Sequence, residues 1–159
     1  AHATLEDRKD VPAALELEKK TCAPAAAMEL DDGRIITGKT SDLLGASSAL
    51  LLNVLKELAG IDHKIHVISP DAIHPIQKLK TDYLGSKNPR LHMDETMIAL
   101  SISAASNSDA RLALDQIPKL KGCQAHTSVM LSSVDLLSFR KLGVELTCEP
   151  KFEKEKKYH

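Results

Sequence analysis

Between Thr40 and Gly60 the chain carries Leu43, Leu44, Leu50, Leu51, Leu52, Val54, Leu55 and Leu58, which leave almost no polar face. A helix that is apolar nearly all round has to be covered on most of its surface, so this segment predicts a helix lodged between layers. Thr40, Ser41 and Asp42 offer side-chain oxygens for its N-cap, and Gly60 closes it. Its Gly45-Ala46-Ser47-Ser48-Ala49 stretch has no bulk, so another backbone or a ligand can approach that turn closely.

The flanking segments supply the cover. Two short strand-like runs, 25–28 and 34–37, flank Asp31-Asp32-Gly33, a hairpin signal because glycine accepts the positive φ of the turn. Further strands are expected over 64–69, 124–131 and 144–148. Helices are expected over 70–83, 93–105, 108–118 and 134–142, the last closed by Gly143. Strands alternating with helices imply an α/β fold: three layers around a mixed, mostly parallel five-stranded sheet that opens with a β-hairpin. A linker and short docking helix over 1–20, one α/β domain over 21–150 and a charged tail over 151–159 complete the expected organisation. A chain that opens at Ala1-His2 without methionine reads as a piece of a longer protein.

Length and composition narrow the function classes. At 159 residues there is enough chain for one sizeable core and not for two. No run approaches the ~20 apolar residues that span a bilayer, and no secretory leader opens the chain, so a cytoplasmic protein without membrane contact is expected. Three cysteines without close pairing fit thiols kept reduced. A formal charge of -1 and 3% aromatic residues give neither a field for phosphate backbones nor platforms for bases. Nucleic acid is therefore not an expected partner.

Residues 33–40, Gly33-Arg34-Ile35-Ile36-Thr37-Gly38-Lys39-Thr40, match the phosphate-loop expression G-x-x-x-x-G-K-[ST] letter for letter. Two carboxylates precede the first glycine, where phosphate would sit, and adjacent isoleucines prefer an extended strand to an anion nest. The hairpin accounts for all eight residues. What remains is Lys39, Thr40 and Ser41 at an expected helix start, where free amides and the helix dipole favour an anion; an ordinary cap with an exposed lysine is the plain alternative. Ser69-Pro70-Asp71 opens the next helix, so two helix starts with Lys39, Thr40, Ser41, Ser69 and Asp71 form a candidate anion pocket. Asn88-Pro89-Arg90-Leu91-His92-Met93-Asp94-Glu95 is the densest polar cluster: Arg90 and His92 can orient a substrate, while Asp94 and Glu95 also suit the first turn of a helix as simple dipole partners. Cys123 and His126 have finger-like spacing, but alternation along a strand sends them to opposite faces. No metal and no cofactor are expected.

The runs 21–27, 32–41, 43–53, 88–92 and 143–150 resemble the C-terminal part of a bacterial family of unknown function, number eighteen-forty-six. The likeness extends over nearly all of 22–150. Members of that family are much longer, which implies that an N-terminal region of the same protein is this domain's first partner. The element order also resembles the cytidine-deaminase-like fold, in which metal ligands sit at the two helix starts; this chain has Thr40-Ser41-Asp42 and Ser69-Pro70-Asp71 there, so that resemblance implies the pocket without the zinc ligands. Two functions stay open. One is an α/β domain that binds an anionic small molecule or supports catalysis by a larger protein. The other is a structural domain that forms homo-oligomers through its Ala- and Ser-rich apolar helices, 43–58 and 93–105.

Overall fold

The computed structural model describes residues 8–152; the expected linker before Arg8 and the tail beyond Phe152 lie outside the described residues. Six α-helices and four strands follow in the order α1 (Asp10–Thr21), β1 (Ala25–Glu29), β2 (Ile35–Lys39), α2 (Ala46–Ala59), α3 (Pro70–Lys78), α4 (Met93–Ser103), α5 (Ser108–Leu114), β3 (Gln124–Thr127), α6 (Ser133–Leu142) and β4 (Glu145–Cys148). A π-helical turn, Leu79–Tyr83, extends α3, and a 3-10 turn, Ile117–Leu120, follows α5. No helix among the described residues is long and apolar enough to cross a membrane.

The hairpin forms where Asp32-Gly33 predicts it. Gly33 adopts φ 89°, the Leu30 amide donates to the Arg34 carbonyl at 2.9 Å, and Arg34 folds back on Asp32 at 2.8 Å. The strands order as β2-β1-β3-β4, with β1 antiparallel to both neighbours and β3 parallel to β4. This corrects the expected mostly parallel five-stranded sheet to a four-stranded sheet with one parallel pair. The expected strand over 64–69 is a set of turns. Asp62 builds them: its carbonyl accepts from the Ile65 amide at 3.0 Å and its carboxylate from the Lys64 amide at 2.9 Å. Once these groups are satisfied locally they are lost to a ladder, and Val67 and Ile68 enter the core as loop residues.

β1 shows why the sheet has to be covered on both faces. Ala25, Ala26, Ala27 and Met28 are all fully buried, although successive side chains point to opposite sides. Ala26 and Met28 face the main core with Leu50, Leu51, Val54 and Leu55 of α2, Leu100 of α4 and Phe139 of α6. α1 packs on β1 and β3, with Ala14 at 0% exposure. Each large core side chain contributes roughly 1.5–3 kcal/mol by burial.

Helix α2 starts at Ala46 with Gly45 as N-cap, later than the expected start at Thr40–Asp42. The Ser41 hydroxyl instead accepts from the amides of Leu43 and Leu44, closing a turn before the helix. The helix then lies so close to β2 that a Cβ on Gly38 would stand 2.3 Å from the Leu50 amide nitrogen. Relief requires a backbone shift of α2 against β2, so Gly38→Ala is expected to cost about 1–3 kcal/mol and lower Tm by roughly 3–10 °C. Thermal unfolding followed by circular dichroism checks this, and a Tm unchanged within 1–2 °C (about the size of a neutral surface change) contradicts the packing described.

Candidate functional site

Because β1 is reversed, β2, β3 and β4 run the same way and end at the same side of the sheet. The crevice at the carboxyl ends of such strands is where open α/β sheets present ligand sites. A pocket of about 250 Å³ lies there. Its walls are the segment leading into α2 (Thr40, Gly45, Ala46, Ser47), the one leading into α4 (Asn88, Arg90, Leu91, His92), and residues 129–132 with Asp135 at the start of α6.

Backbone stitching brings these three helix starts together. The Leu91 amide donates to the Leu43 carbonyl at 3.0 Å, and the Leu91 carbonyl accepts from the Gly45 amide at 3.3 Å and the Ser48 hydroxyl at 3.0 Å. Leu44 and Leu91 thus form a one-rung parallel bridge outside the sheet. Arg90 Nε donates to the Ser41 carbonyl at 2.5 Å, holding the same two segments from the pocket side. The third start is fixed by Asp135: its Oδ1 accepts from the Met93 amide at 2.9 Å, so a residue in the first turn of α6 caps α4. Ser132 in turn caps α6 by accepting from the Asp135 amide.

The N-terminus of α2 has no such cap. Gly45 has no side chain to offer, and the first-turn amides have no intrahelical acceptor. Beside them the Ser47 hydroxyl is buried, the residue being 2% exposed, and no described group bonds it. Buried hydroxyls without partners are rare in finished folds, because the lost water bond costs about 1–3 kcal/mol.

Charge around the pocket is divided. Glu95, in the first turn of α4, accepts from the His92 amide and the Lys80 ammonium, each at 2.8 Å, with His92 Nδ1 at 3.4 Å. Burial works to raise the Glu95 carboxyl, but the hydrogen bonds from His92 and Lys80 outweigh it and hold it at about 2. The same Glu95 bond raises His92 above its usual value, against the effect of burial. Burial pushes the Asp135 carboxyl up, and the Met93 amide offsets that only in part. His92, Asp94 and Glu95 each offer a ligand atom within 4.8 Å of the others, which is cation-binding spacing. The Lys80 ammonium already supplies the positive charge that Glu95 faces.

Of the residues singled out from the sequence, Thr40, Arg90 and His92 line the pocket. Ser41 contributes its carbonyl as the anchor for Arg90. Lys39 is exposed at the end of β2 and is outside the lining. Ser69 caps α3 by accepting from the Ala72 amide, and Asp71 sits in the first turn of that helix; neither lines the pocket. Sequence reasoning missed Ser47, Ser132 and Asp135. Only Ser47 left a signal, as part of the unbulky run 45–49 where close approach is expected. His126 is buried on the sheet face opposite Ala125, with Thr147 Oγ1 at 2.6 Å and Glu149 Oε2 at 2.7 Å from its two ring nitrogens.

Fold and site together define a class: an α/β domain whose pocket lies at the carboxyl ends of like-directed strands, enclosed by three helix N-termini. The chain belongs to the family described as domain of unknown function DUF1846, C-terminal, which matches residues 6–158. It is 60% identical over 158 residues to a UPF0371 protein of Corynebacterium efficiens, covering 99% of this chain and 32% of that protein. A UPF0371 protein of Streptococcus uberis is 46% identical over 153 residues, covering 96% of this chain and 31% of its own length. The chain therefore spans about a third of the length of these relatives, and is part of a larger protein.

Glu95 gives the site a pH signature. Its carboxyl lies below the ordinary value of 4.5 in the folded state, so its contribution to stability is complete above pH 4.5 and is lost as pH falls toward 2. Glu95→Gln is expected to lower Tm at pH 7, with the gap to wild type closing between pH 4.5 and pH 2.5. Melting curves across that range check it; a gap of equal size at pH 7 and pH 3 contradicts the ion-pair account.

Proposed function

We propose that this domain binds a small anionic molecule, a phosphate or carboxylate compound, in the pocket at the starts of α2, α4 and α6, as the ligand-holding part of a larger cytoplasmic protein. One observation carries the reading. The Ser47 hydroxyl is buried, has no partner, and stands beside the uncapped first-turn amides of α2. An anion there accepts from the hydroxyl and the amides together and meets the positive end of the helix dipole. Arg90 adds its guanidinium to the lining, with Nε fixed on Ser41. The pocket, about 250 Å³, has room for a compact small molecule. Asp135 and Ser132, in the same lining, suit a ligand that also carries a hydroxyl or amine.

The test is a thermal-shift titration with inorganic phosphate and small phosphorylated or carboxylated compounds. Wild type is expected to show a saturable rise in Tm. Ser47→Ala removes no native hydrogen bond, so it should keep the unliganded Tm within about 2 °C while needing roughly tenfold more ligand. Lys39→Ala should leave binding unchanged. No stabilisation by any anion, or a Ser47→Ala variant that binds like wild type, contradicts the proposal.

A second reading, a domain that assembles homo-oligomers, is favoured by one feature. Ile98 and Ile102, one turn apart on α4, are 59% and 69% exposed, and Leu112 of α5 is also exposed. Light scattering at high concentration decides it: a strict monomer removes this reading.

A further inference from the structure

Among the described residues β4 pairs with β3 alone. In a parallel ladder alternate residues bond the neighbouring strand. The Glu145 amide donates to the Cys123 carbonyl at 2.9 Å and the Glu149 amide to the Thr127 carbonyl at 3.0 Å. Leu146 and Cys148 therefore turn their amides and carbonyls outward, and no described residue bonds them there. Beside this edge lies a groove of about 720 Å³ between α6 and β4, lined by Leu136, Leu137, Phe139, Arg140, Val144 and Leu146. Leu136 and Leu137 are 42% and 46% exposed, and Val134 on the same helix is exposed as well. Finished folds blunt their edge strands, and this one joins open backbone groups to an apolar groove without a proline or lysine among its four residues.

The relatives are about three times as long as this chain, and the family match is to the C-terminal part of such proteins. In proteins of that length and order most of the polypeptide precedes the matched segment, which makes it the natural cover for this edge. We propose that a β-strand from the N-terminal region of the same polypeptide adds to the free edge of β4. Its backbone pairs with the outward groups of Leu146 and Cys148. Side chains alternate along a strand, so those on the α6 side are apolar and fill the groove against Leu137 and Leu146, while those on the other side are polar beside Thr147 and Glu149. This is independent of the anion pocket, which lies at the strand ends.

Hydrogen exchange on the full-length polypeptide tests it. The Leu146 and Cys148 amides are expected to be protected by at least about 100-fold over an open strand edge. In the full-length chain carrying Leu137→Glu, that protection should fall at least about tenfold, while the Ala125 and Thr127 amides of β3, read as the control for folding, stay protected. Free exchange of Leu146 and Cys148 in the wild-type chain overturns the proposal. Protection lost on dilution to monomers overturns it in favour of a second copy, and protection lost when residues 153–159 are removed overturns it in favour of the tail.

Discussion

The one-rung bridge between Leu44 and Leu91 is the contact on which the rest of the architecture turns. Neither residue belongs to the sheet, yet the bonds from Leu91 to Leu43, Gly45 and Ser48 lock the segment entering α2 to the segment entering α4. Two helices far apart in sequence thereby begin side by side. Asp135 extends the arrangement by capping α4 from α6. Without these bonds the helices would still pack on the sheet through their apolar faces, but their positive ends would have no reason to meet. Burial fixes which faces are inside; hydrogen bonds at the helix starts fix where the ends point.

Meeting three positive helix ends has an electrostatic cost, and the sequence offsets it unevenly. α4 is served by Asp135 and by the Glu95 carboxylate, which also holds His92 and Lys80. α6 has its Ser132 cap. α2, the longest of the three and the most deeply buried, receives Gly45 and an unpaired Ser47 hydroxyl. The fold therefore caps two of three adjacent helix ends with side chains and leaves the third, beside the pocket, without one.

Much of this was legible in the sequence, for reasons tied to particular residues. Asp32-Gly33 specifies the hairpin because only a positive φ fits that turn, and the leucines after Gly45 can only be a buried helix. Residues 64–69 look like a strand because Ile65, Val67 and Ile68 are β-branched; the local turn that Asp62 makes decided otherwise. The start of α2 misled because Thr40, Ser41 and Asp42 are all good caps, and Ser41 spends its hydroxyl on a turn ahead of the helix. Arg90 and His92 were visible as a polar cluster. Asp135 was not, since its partner amide is 42 residues away in the chain and no local pattern records such a contact.

An amide-resolved NMR titration with inorganic phosphate tests most directly the proposed anion site in the first turn of α2. Anion binding there is expected to give saturable shifts centred on the Ala46, Ser47 and Ser48 amides, with smaller ones at Arg90, His92 and Ser132. Shifts confined to exposed positions such as Lys39 and Asp71, or no saturable shift in the first turn of α2, would contradict it.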